Sequence, residues 1–251
     1  RGLGDVYKRQ RGKSRSNSIE NIIKQLEIYV ENGIKEVVLT GIHIGQWGAD
    51  LDTGLGLKHL IEAIENTGIK RYRLGSLNTL EITDDLLQFL STSQKFCPHF
   101  HLSLQSMNTK TLEAMNRHYS AESCIKLVKK INSIFHLPFI GSDVIVGFPG
   151  ETDEDFSITV ENLRNTDLSA IHVFPYSVRK NTKAASMPDQ IEMNIKKHRA
   201  AILHSLADEK LSNFVNKNLG TTAEVLVEKR PDMKTGLLKG VTKNYLNVFI
   251  D

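Results

Sequence analysis

A chain of 251 residues, 40% hydrophobic and 24% charged, has enough apolar side chains for one α/β core and a small appendage. Its net charge of +3 is too small to demand a polyanionic partner, so the basic runs RQRGKSR (9–15), KRYR (70–73), VRKNTK (178–183) and KKHR (196–199) say more than the total. Cys97 and Cys124 are its only cysteines, which excludes a disulfide framework and a cysteine cluster holding a metal. No apolar run approaches the roughly 20 residues that cross a bilayer and the start has no apolar secretory stretch, so a cytoplasmic location is expected.

The first ten residues, RGLGDVYKRQ, show no clear period and read as a leader of foreign or misassembled origin (1–10), or as the ragged edge of a fragment. From there helix-like and strand-like spacings alternate. SIENIIKQLEIYVEN (18–32), stopped by Gly33, precedes the strand EVVLT (36–40). LKHLIEAIENTG (57–68) precedes KRYRLGS (70–76), and ITDDLLQFLSTS (82–93), capped by Thr83, precedes HFHLSLQS (99–106). NTKTLEAMN (108–116) and AESCIKLVKKINSIF (121–135) lead to FIGSDVIVG (139–147), and DEDFSITVENLRNT (153–166) leads to AIHVFPYS (170–177). Five such units require crossover connections and a parallel sheet, with ligands gathering at the strands' carboxyl ends. Five strands cannot close an eight-stranded barrel, and the glycine-rich phosphate fingerprint of a doubly wound sheet is missing, so an open, incomplete β/α barrel is predicted.

A long helix is predicted from Gln190 to about Asn218, completing a barrel region of residues 11–219. Short antiparallel strands follow at TAEVLVE (222–228), LLKGVT (237–242) and NYLNVFI (244–250), with a turn at RPDMKTG (230–236). They form a small β module, 220–251, which either carries nucleic acid or simply packs on the main domain. The chain stops at Asp251 inside the last of these strands and reads as cut short.

Chemistry concentrates at strand ends. In DVIVGFPGETDEDF (143–156) a buried strand crosses Gly147-Phe148-Pro149-Gly150 and enters a helix capped by Thr152 and Asp155; it is either a plain βα connection or a place where a ligand approaches bare backbone. Cys97, His99, His101, Ser103 and Gln105 share one face of a regular strand. Consecutive members of that face stand ~7 Å apart, too far to converge on one ion, so a polar cavity lining is the better reading and no metal site is predicted. Asp143 and Arg117 are either site residues or structural ion-pair partners, His172 and Tyr176 either site or core residues, and Cys124 a small packing group.

RGKSRS, VVLTGIHIGQWGADL, RYRLGSLNTLEI, CPHFHLSLQS, MNRHYS, SDVIVGFPGETDEDF and HVFPYSVRKNT stand in the order found in radical S-adenosylmethionine (SAM) tRNA methylthiotransferases, and the chain from Arg11 to Asp251 resembles that family, in particular its threonylcarbamoyladenosine type. The resemblance implies a partial barrel preceded by a methylthiotransferase domain, which looks absent here, and followed by a TRAM module that helps bind tRNA, here cut short. It implies S-adenosylmethionine bound near Gly41, Ser76, Gln105, Arg117, Asp143, Ile145 and Gly147, with His172, Phe174 and Tyr176 on the last strand and the loop after it. Arg11, Lys13 and Arg15 become candidate phosphate contacts, and a tRNA anticodon loop and an electron-donor protein the expected partners. The family's chemistry uses 4Fe-4S clusters, one of them held by a CxxxCxxC motif just before RGKSRS. This chain has no cysteine there, so it is expected to be inactive by itself, with a non-catalytic RNA-binding chain or pseudoenzyme as the alternative. Met107, where the family usually has glycine, is expected to crowd its turn.

Overall fold

The structure is a computed structural model that describes residues 13–251; the proposed leader and Arg11 lie outside the described residues. Helix α1 (Ile19–Glu31) starts where Ser18 accepts a hydrogen bond from the Asn21 amide and ends before Gly33, whose φ of 76° only glycine adopts freely. Then follow β1 (Glu36–Leu39), α2 (Leu57–Glu65), β2 (Arg71–Leu74), α3 (Asp84–Thr92), β3 (His99–Gln105), α4 (Thr109–Ala114), α5 (Ala121–Ile134), β4 (Phe139–Val146), α6 (Asp153–Arg164), β5 (Ala170–Pro175) and α7 (Met193–Asn218). Thr83 caps α3, and Thr152 and Asp155 form the reciprocal capping box of α6. Among the described residues no helix is long and apolar enough to cross a membrane.

The strands are parallel and follow one another in chain order. Ladders join β1 to β2 and β3 to β4 to β5, and single parallel bridges, Tyr72 to Phe96 and Leu77 to Leu102, span the seam between β2 and β3. Order without reversal is that of an open barrel rather than of a doubly wound sheet. On β3 the outward Phe100, Leu102 and Leu104 are buried, while His99, His101, Ser103 and Gln105 line the concave side and are half-buried. The outward face closes on an aromatic cluster in which Phe96, Phe100 and Phe135 stack edge to face with centroids 5.2–5.8 Å apart. Met107 is fully buried, its backbone φ is not positive, and its carbonyl accepts from Asn162 at 2.8 Å, so the core absorbs the side chain instead of being crowded by it.

The β module comprises β6 (Val225–Pro231), β7 (Leu238–Thr242) and β8 (Asn247–Ile250) in one antiparallel sheet. Its strands differ from expectation at two points: β6 runs on into the segment read as a turn, and residues 244–246, read as strand, form the β7–β8 turn with Tyr245 at φ 70°.

That turn seals the amino end of the barrel. Glu36 on β1 receives Arg71 at 2.6 Å and Arg73 at 2.9 Å from β2. Arg73 also donates to the carbonyls of Lys243 and Thr242, both at 2.7 Å, and Arg71 to those of Val241 and Thr242 at 3.2 Å. Tyr245 lies 5.2 Å below the Arg73 guanidinium and 4.1 Å from the His99 ring. Asn244 holds the turn from the far side, donating to Leu137 O and Asn218 Oδ1. Burial, with Arg73, His101 and His172 adding to it, pushes the His99 pKa down to about 3, and burial also raises that of Cys97.

Two outcomes follow. Glu36→Gln leaves the buried Arg73 without a counter-charge and Arg71 with only the exposed Glu224 at 4.0 Å, and is expected to cost about 3 kcal/mol in urea unfolding, against under about 1 kcal/mol for loss of the exposed Lys58–Asp85 pair. His99, neutral when folded and protonated below about pH 6.5 when unfolded, contributes stability that is whole above pH 6.5 and is lost as the pH falls from there toward about 3. The thermal midpoint of His99→Phe is therefore expected to fall less steeply than that of the parent chain between pH 7 and 5.

Candidate functional site at the carboxyl end of the barrel

The concave face carries a polar cluster at mid-depth. His101 Nε2 lies 3.1 Å from Asp143 Oδ1, and the His101 ring stacks on His172 with centroids 5.4 Å apart. The parallel register sets this up, because Asp143 pairs with His172 across β4 and β5 while the next strand brings His101 alongside. Asp143 therefore has a close polar partner in His101, whereas Arg117 forms no ion pair among the described residues. His172 is exposed and Tyr176 buried, so of that pair the tyrosine is the core residue.

Toward the mouth, Ile145 packs with Met115, Phe148, Tyr176 and Ala184 in a second apolar cluster. The β4–α6 loop turns at Gly147, φ 70°, whose amide donates to Glu151 Oε1 at 2.9 Å. Glu151 is buried against Arg199 of α7 at 2.6 Å; burial raises its pKa, and the Gly147 amide and Arg199 oppose that rise. The space a Gly147 side chain would need is filled by Lys196, whose Cγ would lie 2.4 Å from an added Cβ, while Gly150 has nothing within 4 Å of such an atom. Glycine at 147 is thus required by both backbone and α7, and Gly150 leaves open backbone.

Three more of the predicted residues lie at or just beyond strand carboxyl ends. Gly41 and Ser76 are exposed two residues beyond β1 and β2, and Gln105 ends β3 at φ 68°. Lys13 and Arg15 are exposed, on a segment that Ser16 and Asn17 anchor to the loop after β1 through Asp50, Gly48 and Trp47. The run KKHR divides: Lys196 and Arg199 are buried and Lys197 and His198 exposed, which removes half of that patch from any phosphate surface. Cys124 is fully buried with its pKa pushed up to about 12, a packing thiol. Glu151, Arg199 and Lys196 are the mouth residues that the strand pattern does not reveal. A signal existed, because Lys196, Arg199, Ala200 and Leu203 are spaced as one helical face.

The site suits one of the two expected groups. Arg117 Nε and the Tyr176 hydroxyl are buried donors without partners, and the backbone at Gly150 is open, features that suit a ligand rich in acceptors such as S-adenosylmethionine. A 4Fe-4S cluster does not fit these residues. Cys97 lies at the barrel floor 3.7 Å from Glu36 and Cys124 in α5, and among the described residues no group of three metal-ligating side chains is assembled.

The sequence profile of the Radical SAM superfamily matches residues 4–163. The chain is 39% identical over 239 residues, 95% of its length and 56% of the other protein's, to threonylcarbamoyladenosine tRNA methylthiotransferase MtaB of Aquifex aeolicus. It is 36% identical over 95% of its length to the protein of the same name from Bacillus subtilis, and 35% identical over 96% to tRNA-2-methylthio-N(6)-dimethylallyladenosine synthase of Endomicrobium trichonymphae. It thus spans about half the length of these curated relatives. Among solved structures, coproporphyrinogen III oxidase HemN of Escherichia coli, a radical SAM enzyme, superposes with a TM-score of 0.57 at 15% identity, over 81% of this chain and 46% of that one, a likeness of fold alone. With parallel strands in unbroken order, a mouth that fits S-adenosylmethionine and a profile match over most of its barrel, the chain belongs to the radical SAM superfamily, whose members use S-adenosylmethionine and 4Fe-4S clusters.

Proposed function

We propose that this chain is the barrel and RNA-binding β module of a tRNA methylthiotransferase of the threonylcarbamoyladenosine type, acting at carbon 2 of the modified adenosine beside the anticodon. Similarity over 95% of the chain to the Aquifex aeolicus protein carries the reading.

S-adenosylmethionine, given one electron by a 4Fe-4S cluster that this chain's residues do not hold, would supply the means of taking hydrogen from an unactivated aromatic carbon, which acid-base side chains do not provide. This chain's residues bind and orient it. Asp143, held by His101, accepts hydrogen bonds from amino or hydroxyl groups; Gln105 and Arg117 donate from the end of β3 and the turn after α4; Ile145 offers an apolar surface for a flat ring. Lys13 and Arg15, both exposed, are the candidate contacts for RNA phosphates, and an electron-donor protein completes the set of partners. Because the chain's own thiols cannot hold a cluster, it does not turn over by itself. A non-catalytic RNA-binding chain is the second reading, favoured by that lack of thiolates.

Anaerobic treatment with iron and sulfide is expected to leave well under one 4Fe-4S cluster per chain by iron and sulfide analysis; a full cluster would refute the assignment of both cysteines to packing. Asp143→Ala and Gln105→Ala are expected to weaken calorimetric binding of S-adenosylmethionine about tenfold while shifting the thermal midpoint by only a few degrees. Unchanged binding in both would show that the mouth is misassigned. Affinity for an anticodon stem-loop should fall steeply with salt, with a slope of roughly −0.7 to −0.9 per phosphate contacted in log affinity against log salt, and discriminate little between modified and unmodified adenosine. Salt-independent binding would place recognition in the barrel lumen.

A further inference from the structure

Two of the basic runs in the sequence are used by the fold itself. KRYR sends Arg71 and Arg73 to Glu36 at the floor, and KKHR sends Arg199 to Glu151 and Asp153. VRKNTK (178–183) sends its charges to solvent: Arg179, Lys180 and Lys183 are exposed, and their side chains form no hydrogen bond or ion pair among the described residues. Surface lysines elsewhere meet carboxylates, as Lys58 meets Asp85, Lys110 Asp155 and Lys130 Asp84. The run has no such neighbour in the chain, since no acidic residue occurs between Asp167 and Asp189.

The run is nevertheless a fixed turn. Thr182 Oγ1 donates to Arg179 O at 2.7 Å and accepts from the Ala185 amide at 3.2 Å, and Asn181 takes the left-handed conformation that asparagine tolerates, φ 66°. Beside it Ala184 is fully buried in the apolar cluster of Met115, Phe148 and Tyr176, and Gln190 closes the far side by donating to the carbonyls of Ala184 and Met187 at 2.9 and 3.0 Å. Three like charges carried on one hydrogen-bonded turn repel each other, and a polyanion relieves that repulsion. Because the backbone beneath the charges is already ordered, binding costs less conformational entropy than it would on a loose loop.

We propose that Arg179, Lys180 and Lys183 form a phosphate-binding turn that holds the sugar-phosphate backbone of RNA. A polynucleotide presents closely and regularly spaced phosphates, each able to accept from a guanidinium or an ammonium, which suits three cations within residues 179–183 better than the scattered carboxylates of a folded acidic protein. A membrane surface suits them less, because Val178 is the single large apolar side chain exposed in the run and the run is not helical. The inference rests on the reading of this chain as a tRNA-binding barrel and adds a contact to it. Lys13 and Arg15 are carried by a segment held to the loop after β1, whereas this turn follows β5, so the two contacts belong to opposite ends of the strand order and act separately.

The test is fluorescence anisotropy of a labelled anticodon stem-loop titrated with the whole chain over a range of salt. Arg179→Gln, Lys180→Gln and Lys183→Gln together are expected to weaken binding about tenfold at low salt and to reduce the slope of log affinity against log salt by roughly 2, the share of three phosphate contacts. The thermal midpoint and the calorimetric affinity for S-adenosylhomocysteine should stay as in the parent, since none of the three side chains is bonded to the fold. Thr182→Val keeps every charge but removes the bonds that shape the turn; it should weaken RNA several-fold with the slope kept, and parent-like affinity there would overturn the role given to the turn. An unchanged slope in the triple variant overturns the proposal outright. So does polyglutamate displacing the stem-loop as well, charge for charge, as unlabelled RNA does, which would make the turn a surface for acidic proteins. A fall in S-adenosylhomocysteine affinity matching the fall for RNA would make the turn a brace of the mouth, with the same consequence. If the parent chain does not bind the stem-loop, the tRNA reading falls and this inference with it. If Lys13→Gln with Arg15→Gln lowers the slope and the triple variant does not, only this inference falls.

Discussion

Glu36 is the residue on which the relation between barrel and β module turns. One carboxylate on β1 meets both guanidiniums on β2, with Glu224 a more distant partner of Arg71 at 4.0 Å, and those guanidiniums have donors left to grip the carbonyls of the β7–β8 turn. Burying two arginines is costly unless every charge and most donors are answered, so the turn must come to within hydrogen-bonding distance or the floor opens. Arg71 Nε and Nη1 and His99 Nδ1 remain unanswered, which marks this seal as tight in charge and incomplete in hydrogen bonds. The β module is accordingly tied to the barrel by polar contacts at one end, leaving most of its sheet exposed.

Closing the floor gives the barrel one open end. The concave column runs from Tyr245 through His99 to His101, Asp143 and His172, and then to Ile145 at the mouth. Polar side chains occupy it because the strands are too few to close the wall and an apolar lumen would stand open to water. The outer face, packed by helices, shows the opposite composition, with Phe100, Leu102, Leu104, Val144 and Val146 all buried. One strand thus supplies both core and site from alternate residues.

At the mouth the controlling constraint is the approach of α7 to the β4–α6 loop. Arg199 meets Glu151, Glu151 holds the Gly147 amide, and Lys196 occupies the space over Gly147, so the loop conformation and the start of α7 are mutually determined. A helix that follows the barrel in sequence therefore takes part in shaping the pocket that the barrel strands define. Thiolates for an iron-sulfur cluster are not part of this arrangement, since Cys97 belongs to the floor and Cys124 to the helix layer.

By itself the sequence determined the alternation of helices and strands, the caps at Thr83 and Thr152, the parallel sheet, and the concave set His99, His101, Ser103 and Gln105, because each depends on short-range periodicity or on groups three residues apart. The tract 244–246 misled for the same reason: its apolar alternation is strand-like, but Tyr245 is apolar to pack on His99 and Arg73, not to pair in a ladder. KKHR misled too, since a basic run looks exposed until Lys196 and Arg199 are placed on the face that α7 turns inward. Only tertiary structure could bring Arg71 and Arg73 to the carbonyls of residues 241–243, about 170 residues away in the chain, or Lys196 to Gly147. Those contacts are decided by how helices and strands pack in space, a long-range matter on which local spacing is silent.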